Sequence, residues 1–138
     1  MHILVASSSV FRQRMYREAV ESVGHPVAVA ADGVECVAQI RQQWPELLIL
    51  EAPLFWGGVE GVLQCVENER QLRGLPVILV AVGTGSIDWF RLSRYRIDNL
   101  LFRIPTAHEL GQAVARISAL PARAADDSQK NPREAAYA

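Results

Sequence analysis

Short, nearly continuous apolar runs alternate along this chain with stretches whose apolar residues recur at helical spacing. "HILVA" (His2–Ala6) predicts a first strand. From Ser9, apolar Phe11, Met15, Ala19 and Val23 recur every fourth residue and predict a helix with one buried stripe, leaving Arg12, Arg14, Arg17 and Glu18 outside it. Ser9 is a suitable N-cap and Gly24 a suitable stop. "PVAVAA" (Pro26–Ala31) predicts a second strand, and Asp32-Gly33 a turn. Val34–Trp44 reads as a helix with Val37 and Ile40 inward, closed by Pro45. "LLILEA" (Leu47–Ala52) is the third strand. Val59–Arg70 is a helix carrying Val62, Leu63 and Val66 on one side. "PVILVAV" (Pro76–Val82) is the fourth strand, the most apolar and read as central. After a Gly83-Thr84-Gly85 loop, Ser86 caps a helix running to about Tyr95. "NLLFRI" (Asn99–Ile104) is a fifth strand. Pro105 ends it, Thr106 caps, and Leu110, Val114 and Ile117 stripe a last helix.

Five strand-helix units in succession predict an α/β domain, a five-stranded parallel sheet with helices on both faces and right-handed crossovers. One domain is expected over residues 1–120. The segment 121–138, rich in alanine and charge, is expected to be disordered or loosely attached. The whole chain has 138 residues, 50% of them hydrophobic and 21% charged, a globular composition. A net charge of −1 gives no general pull toward nucleic acid or anionic membrane, and neither is expected as a partner. The start "MHILVASSS" lacks the basic region and long apolar run of a secretory signal. Cys36 and Cys65 match no metal spacing and read as reduced, half-buried thiols of a cytoplasmic protein.

Several segments together resemble the response-regulator receiver domain: "GH" before strand two, "DG" after it, "PELLILE" for strand three, "PVILV" for strand four, and a proline closing strand five. "AADGVECVAQIRQQWPELLILE" is the most specific of them, and the likeness covers roughly residues 1–119. It implies a flavodoxin-like (βα)5 fold of strand order 2-1-3-4-5, with the site at the carboxyl ends of the strands. In such domains an acidic pair after strand one and an aspartate ending strand three hold Mg²⁺. That aspartate accepts the phosphoryl group. A Thr or Ser after strand four and a Lys before the strand-five proline bind its oxygens. Here the acidic pair falls on Ser7 and Ser8, the acceptor on Glu51, the hydroxyl on Ala81, the lysine on Ile104 and the strand-five aromatic on Leu101. The loop after Glu51 also departs: Met-Pro is absent, Pro53 comes early, and the run to Gly58 is one residue short.

The chemistry of these residues agrees with that departure. Two serines and one glutamate are a poor donor set for magnesium, because a hydroxyl carries no charge to offset dehydration of the ion. No metal or other cofactor is expected, and no phosphoryl transfer. Arg103 is the nearest cation to the missing lysine, but strand parity places it on the opposite face unless the register slips by one. Glu51 reads either as a built-in charge fixing an activated-like state or as a solvated remnant at a strand end. The residues favour the remnant, because the hydroxyl and lysine that such a charge would draw in are both missing. "SSS" (Ser7–Ser9) lacks the glycines and lysine of a phosphate cradle and reads as capping. His2, His25 and His108 are scattered, and no nucleophile constellation is present.

What remains is surface for recognition. Phe55 and Trp56, beside glycines, are either folded onto the core or used as anchors. "SIDWFRLSRYR" sets Trp89, Phe90 and Tyr95 among Arg91, Arg94 and Arg96, residue types enriched at binding hot spots. The resemblance implies signalling through helix four, strand five and helix five, which gathers Trp89, Arg91, Arg94, Tyr95 and Leu101 as candidates, with Trp56 the rival. The sequence therefore reads as a non-enzymatic signalling module that binds a protein partner without phosphorylation, with a homodimer through that same face as a further expectation. The alternatives are a receiver phosphorylated in a non-standard way, at Glu51 or a serine, and an unrelated flavodoxin-like enzyme. No glycine-rich phosphate loop after strand one supports the latter.

Overall fold

The computed structural model describes residues 1–83 and 87–120. Its elements follow the alternation of the sequence: β1 (Ile3–Ala6), α1 (Val10–Glu21), β2 (Val27–Ala30), α2 (Gly33–Gln43), β3 (Leu47–Ala52), α3 (Gly58–Asn68), a 3₁₀ turn (Arg70–Leu72), β4 (Val77–Ala81), α4 (Trp89–Leu92), β5 (Asn99–Leu101) and α5 (Ala107–Ser118). The five strands form one sheet of order β2-β1-β3-β4-β5. All pairings are parallel, with Val5 beside Ile49, and Glu51 beside Val80. β3 takes the middle place predicted for β4, which lies between β3 and β5. Both are buried along their whole length, so apolar content could not rank them.

Strand parity divides the core into two layers. Ile3, Val5, Leu47, Ile49 and Ile78 pack with Tyr16, Ala19 and Val20 of α1 and Leu110, Ala113 and Val114 of α5. Leu4, Ala6, Leu48, Leu50 and Leu79 face the other way, onto Cys36 and Ile40 of α2, Val62 and Leu63 of α3, and Leu92 of α4. Both cysteines are free and buried rather than half-buried. Burial pushes the Cys36 thiol up to about 12, so it stays protonated and inert.

Side chains cap helix starts at Ser9 and Thr106, where sequence signals put them, and at Asp32, which the sequence marked only as a turn. The Ser9 side chain accepts from the Arg12 amide, and Asp32 from Glu35. Thr106 and Glu109 form a reciprocal capping box on α5, worth about 1 kcal/mol. Three expectations shift. The buried side of α1 is Tyr16, Ala19 and Val20, while Phe11 and Val23 are exposed. A strict four-residue step advances about 40° past each turn, so a stripe from Phe11 to Val23 drifts roughly a third of the way round the helix. β5 ends at Leu101, leaving Phe102, Arg103 and Ile104 on the surface. α4 is only Trp89–Leu92, capped by Asp88; the Ser86 cap and the 121–138 tail lie outside the described residues.

Candidate functional site

The carboxyl edge of the sheet collects the ends of β1, β3 and β4 with the first turns of α1 and α2. Ser7 continues β1, its amide bonded to the Ala30 carbonyl, and it is fully buried. Its hydroxyl accepts from the Ser9 amide at 3.1 Å. Ser8 Oγ accepts from the Phe55 amide at 3.0 Å. With Ser9 capping α1, all three serines satisfy local backbone donors. Ala81 ends β4 as a buried methyl opposite Ala52. Ile104 stands partly exposed beyond the end of β5. Arg103 forks onto Glu109 through contacts of 2.9 and 2.7 Å and holds that carboxyl down to about 2.

Glu51 overturns its expected role. It is not a solvated remnant: it is 1% exposed. One carboxylate oxygen accepts from Arg12 Nε at 2.5 Å. The other accepts from the Tyr16 hydroxyl at 2.6 Å. Parity explains the meeting. Leu47, Ile49 and Glu51 point to one face, and that face is covered by α1. Arg12 and Tyr16 lie one turn apart on α1 and reach down to the strand end together. Burial, reinforced by the bond to Glu51, raises the Tyr16 phenol far above its ordinary range, so it remains a donor. A buried carboxylate without such partners would be strongly unfavourable; here a cation and a hydroxyl complete it. The signal was present in the sequence as Arg12 and Tyr16 at helical spacing beside a strand-end carboxylate, hidden because the buried face of α1 was drawn through Phe11 and Met15.

This arrangement does not fit magnesium. The Ser7 and Ser8 hydroxyls are engaged with backbone amides, both Glu51 oxygens have donors, and the Arg12 guanidinium occupies the neighbourhood a dication would share. Among the described residues no group of three His, Cys, Asp or Glu side chains is placed to hold a metal ion. Nor is any helix there long and apolar enough to cross a membrane.

Beyond Glu51 the chain turns outward. Phe55 and Trp56 stand in solvent, which decides between the two readings of the sequence: they are not folded onto the core. The loop is nevertheless fixed. Gly33 and Val34 amides donate to the Phe55 and Trp56 carbonyls at 2.8 and 2.9 Å. A Cβ on Gly33 would lie 2.5 Å from the Trp56 carbonyl oxygen, so only glycine allows this approach. Trp56 itself takes a left-handed φ of 47°, an uncommon conformation for a bulky residue.

The α4 candidates are partly engaged already. Trp89 is half-buried with its ring 5.7 Å from that of Phe102. Arg91 pairs with Glu60 at 3.0 Å, and Arg96 with Asp98 at 3.4 Å. Tyr95 and Leu101 pack against the two core layers from their margins. Phe90 and Arg94 are exposed.

No family model and no curated protein matches the sequence. Solved structures do match. The chemotaxis response regulator CheY4 of Vibrio cholerae superposes with a TM-score of 0.75 at 16% identity, over 84% of this chain and 97% of that one. A putative response regulator from Chloroflexus aurantiacus gives 0.75 at 22%, over 86% and 98%. The receiver domain of a sensor histidine kinase of Pseudomonas aeruginosa, whose active-site cleft coordinates a magnesium ion, gives 0.75 at 17%, over 83% and 94%. The fold of this chain is therefore the receiver fold.

Proposed function

We propose that this chain is a cytoplasmic signalling module of receiver type that acts by binding a protein partner and neither accepts a phosphoryl group nor catalyses a reaction. One observation carries the reading: Glu51, at the acceptor position, is sealed by Arg12 and Tyr16. A phosphoryl group arriving there would meet no vacant oxygen, no acidic pair, no β4 hydroxyl and no lysine at Ile104. With its carboxylate held by the protein's own cation, the domain keeps one state instead of switching between two. The α4–β5–α5 face supplies the partner surface in this reading. Arg94 and Phe90 are exposed there, beside the Trp89–Phe102 pair. An arginine next to aromatics offers a stacked anchor with little added flexibility.

Incubation with acetyl phosphate and Mg²⁺, followed by intact-mass spectrometry, tests the chemistry. The mass should remain unchanged, and beryllofluoride should leave tryptophan fluorescence unaltered. A Mg²⁺-dependent phosphoryl adduct would overturn the proposal and support a receiver with non-standard chemistry.

A further inference from the structure

We propose that the apolar residues crowning the carboxyl edge of the sheet form a contact between two copies of this chain. This goes beyond the partner binding above and uses a different surface. Val10 and Phe11 in the first turn of α1, Val34 in the first turn of α2, and Phe55 and Trp56 after β3 are 73%, 75%, 64%, 62% and 76% exposed. Hydrogen bonds bring their segments together: the Phe55 amide donates to Ser8 Oγ, and the Gly33 and Val34 amides donate to the Phe55 and Trp56 carbonyls. Large apolar side chains scattered singly over a surface need no explanation, but a gathered set marks an interaction site.

Three further arguments select the occupant. The first is area. Three aromatics and two valines so exposed present roughly 500 Å² of apolar surface. One partner's share of a standard interface is about 800 Å², a little over half of it apolar. The crown therefore supplies the apolar part of one half of a stable dimer. The second is charge. A two-fold contact sets each residue against the same patch, so any net charge on it repels itself. Of the carboxylates of this edge, Glu51 is neutralised by Arg12, whereas Asp32 and Glu35 accept from the Glu35 and Ala31 amides and keep their charge. The exposed charges on α1 nearest to it are Arg14, Arg17 and Glu18. With exposed charges of both signs around the crown, a two-fold contact can set the arginines of one copy against the carboxylates of the other. The third is rigidity. The Gly33 approach and the left-handed Trp56 hold the aromatics in place before contact, so little freedom is lost on association.

Sedimentation velocity of the full chain over rising concentration tests the proposal. Wild type should pass from monomer to dimer. Trp56→Gly removes the side chain at a φ that glycine accepts freely, and should weaken association about 30-fold, as for a hot-spot residue. Phe11→Glu should abolish the dimer. Should Phe11→Glu fail to fold, Trp56→Gly decides the matter alone. Arg94→Ala, on the α4 face, should leave association unchanged. A wild type monomeric throughout, or a dimer lost with Arg94→Ala and kept with Trp56→Gly, would overturn the crown contact. Neither outcome bears on phosphoryl chemistry, which the mass measurement reads separately.

Discussion

Glu51 and Trp56 lie on one short run of chain at the end of β3, and the fold treats them in opposite ways. The charged residue is buried and fully partnered, while the large aromatic is placed in water on a fixed loop. Hydrophobicity alone would put them the other way round. The inversion bears on the role proposed for each. Burial of Glu51 is tolerable only because α1 delivers a cation and a phenol to it, so the carboxylate has become part of the structure. Exposure of Trp56 gains the monomer nothing, yet glycine contacts and backbone bonds fix it there, which is how a recognition element is built.

The sharpest way to break the comparison is to strand the buried charge. Arg12→Ala leaves the Glu51 carboxylate with Tyr16 alone. Removing one partner of a buried pair typically costs 3–5 kcal/mol. Because the Arg12 side chain is 29% exposed and water can enter behind it, the low end, about 3 kcal/mol, is expected. Urea unfolding reads the loss. A change below about 0.5 kcal/mol, the ordinary surface value, would return Glu51 to the status of a solvated strand end.

Tyr16→Phe is the next step down. It removes one hydrogen bond to a charged acceptor and leaves the ring packed, so about 2 kcal/mol is expected. The same phenol makes an alkaline prediction. Its native value is raised, chiefly by burial, while the unfolded tyrosine keeps its ordinary value of 10.0. Above that pH the unfolded state loses a proton that the native state retains, so the native state binds more protons and stability falls as pH rises. Below it the two states bind alike and Tyr16 adds no slope. Tyr16→Phe should therefore flatten the alkaline decline in unfolding free energy. An unchanged slope would mean that the phenol is not held buried and protonated in the native state.

How much of this was legible beforehand divides along the same line. The alternation of strands and helices and the caps at Ser9 and Thr106 could be read because each depends on local spacing or on a whole-chain pattern, while the 2-1-3-4-5 order came only with the resemblance to receiver domains. The site was only half legible. The resemblance assigned Ser7, Ser8, Ala81 and Ile104 to the site; the structure sets Ser7 and Ser8 just after β1 and Ala81 at the end of β4, with Ile104 beyond the end of β5. The partners of Glu51 were missed because a helix face is a sum of angles, and a four-residue step drawn from Phe11 drifts by roughly a third of a turn over three steps. The fate of Phe55 and Trp56 could not be decided from sequence, since it depends on Gly33 meeting the Trp56 carbonyl across a gap in the chain.

Gly33→Ala tests that long-range contact. The added methyl would stand 2.5 Å from the Trp56 carbonyl oxygen and 2.9 Å from the Gly58 amide nitrogen, both backbone atoms that cannot swing aside. The loop must move, giving up its bonds to the Gly33 and Val34 amides. About 1–2 kcal/mol of destabilisation is expected, in the range of a modestly overpacked contact. Faster amide exchange at Val34 should accompany it, with little change at Glu51. If exchange speeds at both places equally, the loop and the buried pair are one structure and the comparison collapses.

The smallest expected effect concerns the stability of Trp56 variants. Trp56→Gly removes the largest side chain of the edge, yet that side chain is exposed and touches no core layer. Two backbone effects then oppose each other. Glycine relieves the left-handed strain at φ 47°, and it also gives the unfolded chain more freedom to lose. With no burial to forfeit, the sum should fall within about 0.5 kcal/mol of wild type at concentrations where the chain is monomeric. At higher concentration wild type should gain stability with concentration, because association draws on the folded state alone, and the variant should not. Urea midpoints measured at two concentrations for both proteins separate these contributions. A large loss in the variant under monomeric conditions would mean that the tryptophan supports the fold, and that the edge of the sheet holds its aromatics for itself.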